Sequence, residues 1–144
     1  MKTFMAVLVA LVIGVSGVMA DDEPKIDWTT NYDVAMKRME DQKKPVLVLF
    51  TDPVGCQPCK RMEAEVFTDK RVIEKARGFV CCKIIVTREH GQEILARFRQ
   101  WGQPVNAWPS VRFIRKGNSV LSPDPGFTPA DELLGQMRQV QEGK

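Results

Sequence analysis

Thr51-Asp52-Pro53-Val54-Gly55-Cys56-Gln57-Pro58-Cys59-Lys60 lies between two segments of different character. Before it, Val46-Leu47-Val48-Leu49-Phe50 has the length and β-branching of a buried strand. After it, Arg61 to Phe67 reads as a helix with Met62, Val66 and Phe67 on one side. The order strand, turn, Cys-X-X-Cys, helix puts Cys56 near a helix N-terminus. Unpaired backbone N–H groups there favour a thiolate over a thiol. Pro58 suits the first helical turn, which has no use for the N–H that proline lacks. The spacing lets two sulfurs close a small ring, so a redox dithiol is the first expectation.

The rest of the chain frames that segment. Of 144 residues with net charge +3, the first twenty read as a leader. Lys2 is followed by an uncharged apolar run from Phe4 to Val15, and Val18 and Ala20 form a small-residue cleavage pattern. We therefore expect a signal peptide over residues 1–20, cut near Ala20, and one domain over 21–144. An uncleaved anchor is the alternative, although the apolar run is short for a bilayer. Removing the leader leaves 20 basic and 18 acidic residues. Their interspersion argues against nucleic acid as a partner. An exported chain meets an oxidising compartment, periplasmic or extracellular, where a disulfide persists.

Further along, a helix is expected over Asn31–Gln42, capped by Thr30 or Asn31, with Tyr32, Met36 and Met39 as core. A short helix over residues 69–77 follows the dithiol segment. Phe79–Val86 reads as a strand covered on both faces, and Glu89–Trp101 as a helix stopped by Gly102. Ser110–Arg115 and Ser119–Ser122 form a hairpin about Lys116-Gly117-Asn118. Thr128 caps a last helix opened by Pro129, with Leu133, Met137 and Val140 buried. Strands separated by helices and closed by a hairpin imply an α/β fold, a central mixed β-sheet flanked by helices.

Cys56-Gln57-Pro58-Cys59-Lys60 after a strand, Trp108-Pro109 before one, Lys116-Gly117-Asn118 and Gly126-Phe127 resemble the thioredoxin-like superfamily. Trp28, Ala35 and Lys44-Pro45-Val46, with Met62-Glu63 and Val66-Phe67, are similar to one branch of it. That branch is the exported thioredoxin-fold proteins akin to the C-terminal domain of thiol:disulfide interchange reductases. The resemblance implies a cis Pro109 against the dithiol, and a Trp108 whose backbone meets an incoming peptide. Two departures stand out. The buried acid usual on the strand before the dithiol is replaced by Leu49 or Phe50, which leaves its proton-accepting role vacant or passes it to Asp52, Glu63 or water. The usual aromatic before the first cysteine is Gly55. Gln103-Pro104 reads as a small insertion.

The expected chemistry is thiol–disulfide exchange, with Cys56 and Cys59 catalytic and Cys56 the exposed nucleophile. Gln57, Pro58, Trp108 and Pro109 are expected to contact substrate. Partners are protein thiols or disulfides and an upstream redox partner; the mature chain is expected to be a monomer without stable membrane insertion. No cofactor and no metal site is expected. Zinc needs four ligands in tetrahedral reach, and covalent haem needs a histidine where Lys60 stands. A non-catalytic binding module on the same scaffold and a Cu(I) metallochaperone holding Cys56 and Cys59 are the rival readings. Cys81 and Cys82, adjacent in a strand, point to opposite faces and read as buried small side chains, with a second redox pair or a resolving thiol shared with a partner as the alternative. His90 reads as a surface histidine.

Overall fold

The computed structural model describes residues 23–143; the expected leader lies outside them. The elements in order are β1 (Trp28–Thr29), α1 (Tyr32–Gln42), β2 (Val46–Thr51), α2 (Gln57–Arg61) running on into a π-helical turn (Met62–Val66), and α3 (Lys70–Ala76). They continue with β3 (Val80–Ile85), α4 (Glu89–Gln100), β4 (Ser110–Arg115), β5 (Asn118–Leu121) and α5 (Ala130–Gln141).

One sheet holds the five strands in the order β1-β3-β2-β4-β5. β1, β3 and β2 are parallel, and β4 and β5 run antiparallel. This is the expected thioredoxin fold. All six residues of β2 are buried because both its faces are covered. Val46, Val48 and Phe50 pack with Tyr32, Ile94 and Phe98 from α1 and α4. Leu47 and Leu49 pack on the other side with Met62, Val66, Leu133 and Met137. The alternation along one strand thus builds two cores.

Local signals set the helix ends. Asn31 Oδ1 accepts the Val34 N–H at 3.1 Å, so Asn31 rather than Thr30 caps α1. The π-helical turn accommodates one extra residue before Asp69 caps α3. Thr128 does not cap α5. Pro129, extended at φ −61° and ψ 155°, takes the cap position with no side-chain bond, and the helix opens at Ala130. His90 is half-buried rather than on the surface: its Nε2 accepts the Tyr32 N–H at 3.2 Å, serving one of the unpaired donors at the start of α1. Lys43 after α1 and Lys116 in the hairpin turn adopt the left-handed conformation, at φ 56° and 50°. That conformation costs a residue with a β-carbon about 1 kcal/mol.

Cys81 and Cys82 are free and buried, and they belong to different cores on opposite sheet faces. They form no second redox pair. Burial pushes both thiols up to about 12. The unfolded chain releases these protons near pH 9 and the native chain holds them to about pH 12. Stability is therefore expected to be intact below pH 9 and to fall above it, by about 1.4 kcal/mol per pH unit per thiol. Urea titrations of the wild type and a Cys81→Ala/Cys82→Ala variant between pH 8 and 10 check this, since the variant should lose the pH dependence that begins near 9.

Candidate functional site

β2 ends at Thr51 and delivers the chain into a loop organised by Asp52. Asp52 Oδ1 accepts the backbone N–H groups of Val54 at 3.0 Å and Gly55 at 3.1 Å. These bonds, the one from Val54 foremost, hold the Asp52 carboxyl below its ordinary value. Gly55 is explained by the same carboxylate: a β-carbon there would sit 2.7 Å from Asp52 Oδ2. The missing aromatic is thus the counterpart of the Asp52 turn. An aspartate three residues before a glycine at a strand end is the signal that identifies this turn in the sequence. The turn leaves Val54 80% exposed at the edge of the site.

Cys56 is the residue before α2 and acts as its cap. Its Sγ accepts the Cys59 N–H at 3.2 Å. Pro58 sits within the first turn, where its missing N–H costs no helix bond. Cys56 and Cys59 are joined as a disulfide. Cys56 is less open than the sequence suggested, 9% exposed against 1% for Cys59. The cause is the loop from Asn106 to Pro109 packed beside it: Cys56 Sγ lies 3.5 Å from the Trp108 carbonyl oxygen. The order of exposure between the two cysteines still follows the expectation, while Gln57 and Pro58 are open to solvent.

The Trp108–Pro109 peptide bond is cis. Pro109 is buried and Trp108 is 36% exposed. The Pro109 carbonyl accepts the Gly126 N–H at 2.8 Å, tying this loop to the segment before α5. Phe127 in turn lies under the Arg61 guanidinium, 4.1 Å from ring centre to carbon. Arg61 also pairs with Glu65 at 3.3 Å. The inserted Gln103-Pro104 is held by Arg112, which donates to the Pro104 carbonyl at 2.9 Å.

On the other side of the dithiol, Glu63 follows Cys59 by four residues and pairs with Lys83 at 2.7 Å. Lys83 pairs in register with Leu49, the position vacant of an acid, and its ammonium lies 4.9 Å from the Trp28 ring. The polar exception in β3 is thereby accounted for. The sequence shows no partner for Lys83, because the pair forms only when β3 and the π-helical turn meet. Among the described residues no group of histidine, cysteine and carboxylate side chains is arranged to hold a metal ion.

Comparison with known proteins places this arrangement. A family model described as thioredoxin-like matches residues 27–116. Thiol:disulfide interchange protein DsbD of Campylobacter jejuni is 27% identical over 110 residues, covering 75% of this chain and 18% of that protein. The chain therefore spans about a fifth of the curated relatives it matches. A thioredoxin from Thermus thermophilus superposes with a TM-score of 0.69 at 26% identity, over 81% of this chain and 88% of that one. The oxidised DsbD C-terminal domain of Neisseria meningitidis shares the fold, with a TM-score of 0.61 at 22% identity over 74% and 90% of the two chains. With its β2–Cys56-Gln57-Pro58-Cys59–α2 junction beside a cis proline, the chain belongs to the thioredoxin-like family.

Proposed function

We propose that this protein is an exported thiol–disulfide oxidoreductase acting on protein substrates, with Cys56 as nucleophile and Cys59 as resolving thiol. The observation that carries the reading is the Cys56–Cys59 disulfide at the start of α2, with the more open sulfur on the outside. In the reduced protein a Cys56 thiolate receives the Cys59 N–H that now reaches its sulfur, a bond that strengthens with negative charge. The thiolate attacks one sulfur of a client disulfide, and the other client sulfur leaves as a thiolate and takes up a proton. Cys59 then loses its proton and attacks Cys56 Sγ. This releases the second client thiol and closes the Cys56–Cys59 disulfide, so two electrons have passed to the client. An upstream dithiol of lower potential restores the reduced pair, and the reverse sequence oxidises a client dithiol.

Of the acceptors available for the Cys59 proton, Asp52 is held ionised by its turn and is a weak base. Glu63 and water remain. Gln57, Pro58 and the exposed ring and backbone of Trp108 form the client contact, backed by Pro109. Residues 1–20 act as the signal peptide, cut near Ala20, which delivers a monomeric domain to the periplasm or outside. Among the described residues no helix is long and apolar enough to cross a membrane.

The disulfide favours exchange over a passive binding role, because a four-residue ring adds little stability. Cys59→Ser tests the order of events. It removes the resolving thiol and leaves the nucleophile, so mixed disulfides between Cys56 and client proteins are expected to accumulate. They should appear as reductant-sensitive adducts on non-reducing gels. If Cys59→Ser traps nothing while Cys56→Ser traps clients, the two roles are reversed.

A further inference from the structure

At the end of the sheet opposite the dithiol lie two cavities that share Lys44. The first, of about 340 Å³, is bordered by Lys25, Arg38, Lys44 and Arg77 with Asp27, over a floor that includes Phe79 and Val80. The second, of about 410 Å³, is bordered by Lys43, Lys44, Arg115 and Lys116 with Glu40, and Met39 supplies apolar surface. Seven cationic side chains thus meet two lining carboxylates, whereas the whole chain carries a net charge of only +3. Of the seven, Arg77 pairs with Glu74 at 3.0 Å. Lys44 and Arg115 donate to backbone carbonyls, those of Arg77 and Val140. Residues that look interspersed along the sequence are gathered by the fold, because Lys43-Lys44, Arg77 and Arg115-Lys116 all sit where β2, β3 and β4 meet this edge.

A second observation is independent of the count. Lys43 and Lys116 are the only non-glycine residues with positive φ among those described. Both occupy turn positions that glycine would fill without steric cost, and both border the second cavity. The charge is kept at these sites at the expense of backbone comfort.

We infer that this end of the molecule docks on the surface of a bilayer containing anionic phospholipid. The lipid phosphates meet the lysine and arginine rim, and the apolar floors receive the upper part of the lipid. Anionic headgroups attract clustered basic side chains, each worth about a fivefold gain in binding. β2 spans roughly 20 Å from Lys44 to the dithiol end. Docking therefore holds Cys56 away from the membrane and open to soluble clients. The inference is independent of the exchange chemistry, since none of these side chains belongs to the dithiol site.

The test is vesicle co-sedimentation of the protein in the form recovered from cells. Vesicles of phosphatidylcholine alone are compared with vesicles carrying phosphatidylglycerol. The wild type is expected to bind the anionic vesicles and to be released by raised salt. The Lys43→Gly/Lys116→Gly variant should bind roughly twentyfold more weakly, while its stability holds or rises and its disulfide reductase activity in solution is unchanged. Adding Lys25→Glu should carry the loss past a hundredfold. Equal binding to both vesicle types, or undiminished binding by the glycine variant, overturns the inference. So does displacement by millimolar inorganic phosphate at matched ionic strength, which would make the cavities a small-anion site. Tighter binding to a DNA duplex than to the vesicles would overturn it too.

Discussion

Cys56→Ser is expected to bring disulfide reductase turnover down to the uncatalysed background. A serine hydroxyl at neutral pH is not ionised by one backbone N–H, and an alkoxide is not a competent substitute for a thiolate in sulfur exchange. The remaining Cys59 is 1% exposed, so it meets a client disulfide poorly. The measurement is insulin reduction with dithiothreitol as donor, read as the onset of turbidity. Unfolding must be excluded as the cause. Loss of the cross-link costs about 2 kcal/mol at most for so short a ring, and the reduced wild type lacks it equally. Urea midpoints of Cys56→Ser and reduced wild type should therefore agree. Substantial turnover by a folded Cys56→Ser would remove Cys56 from the nucleophile's place.

Phe98→Ala should have the largest effect on the scaffold. Phe98 is 1% exposed and is surrounded by the rings of Phe50 at 5.1 Å, Trp101 at 5.3 Å and Tyr32 at 5.8 Å. It joins α1, α4 and the strand that leads into the dithiol loop. Truncation removes the transfer free energy of the ring and leaves a cavity whose walls belong to three elements, which limits collapse. A loss of about 3–5 kcal/mol follows, read as a lower urea midpoint at unchanged slope and a melting point reduced by roughly 10–20 °C. Val120→Ala, at a side chain 40% exposed on β5, should stay within about 0.5 kcal/mol. If the two variants cost the same, Phe98 is not the packing centre of this core.

Much of this was legible before any coordinates. β2 announces itself by an unbroken apolar run, β3 by one broken only at Lys83, α4 by its stripe of Ile94 and Phe98, and the dithiol by its place between strand and helix. β1 was not legible, since two residues carry no periodicity; Trp28 and Thr29 become a strand only by pairing with Cys81 and Cys82. The cap of α5 was misplaced by one residue because Pro129 fits the extended position before a helix as well as its first turn. The openness of Cys56 depends on a loop fifty residues downstream, and the reason for Gly55 on a carboxylate three residues upstream. The basic end was hidden most completely. Nothing along the chain shows that Lys25, Arg38, Lys43 and Lys116 are neighbours, for their proximity is made by the sheet.

The opposed placement of Cys81 and Cys82 bears on how the chain matures. A polypeptide with four thiols emerging into an oxidising space has six ways to form a first cross-link. Once the strands have zipped together, Cys81 and Cys82 are held on opposite faces of the sheet, each among its own layer of side chains, and only Cys56 and Cys59 are brought sulfur to sulfur. Assembly of the sheet thus acts as a proofreading step against scrambled cross-links, and the redox couple that survives is the one whose sulfurs the fold sets side by side.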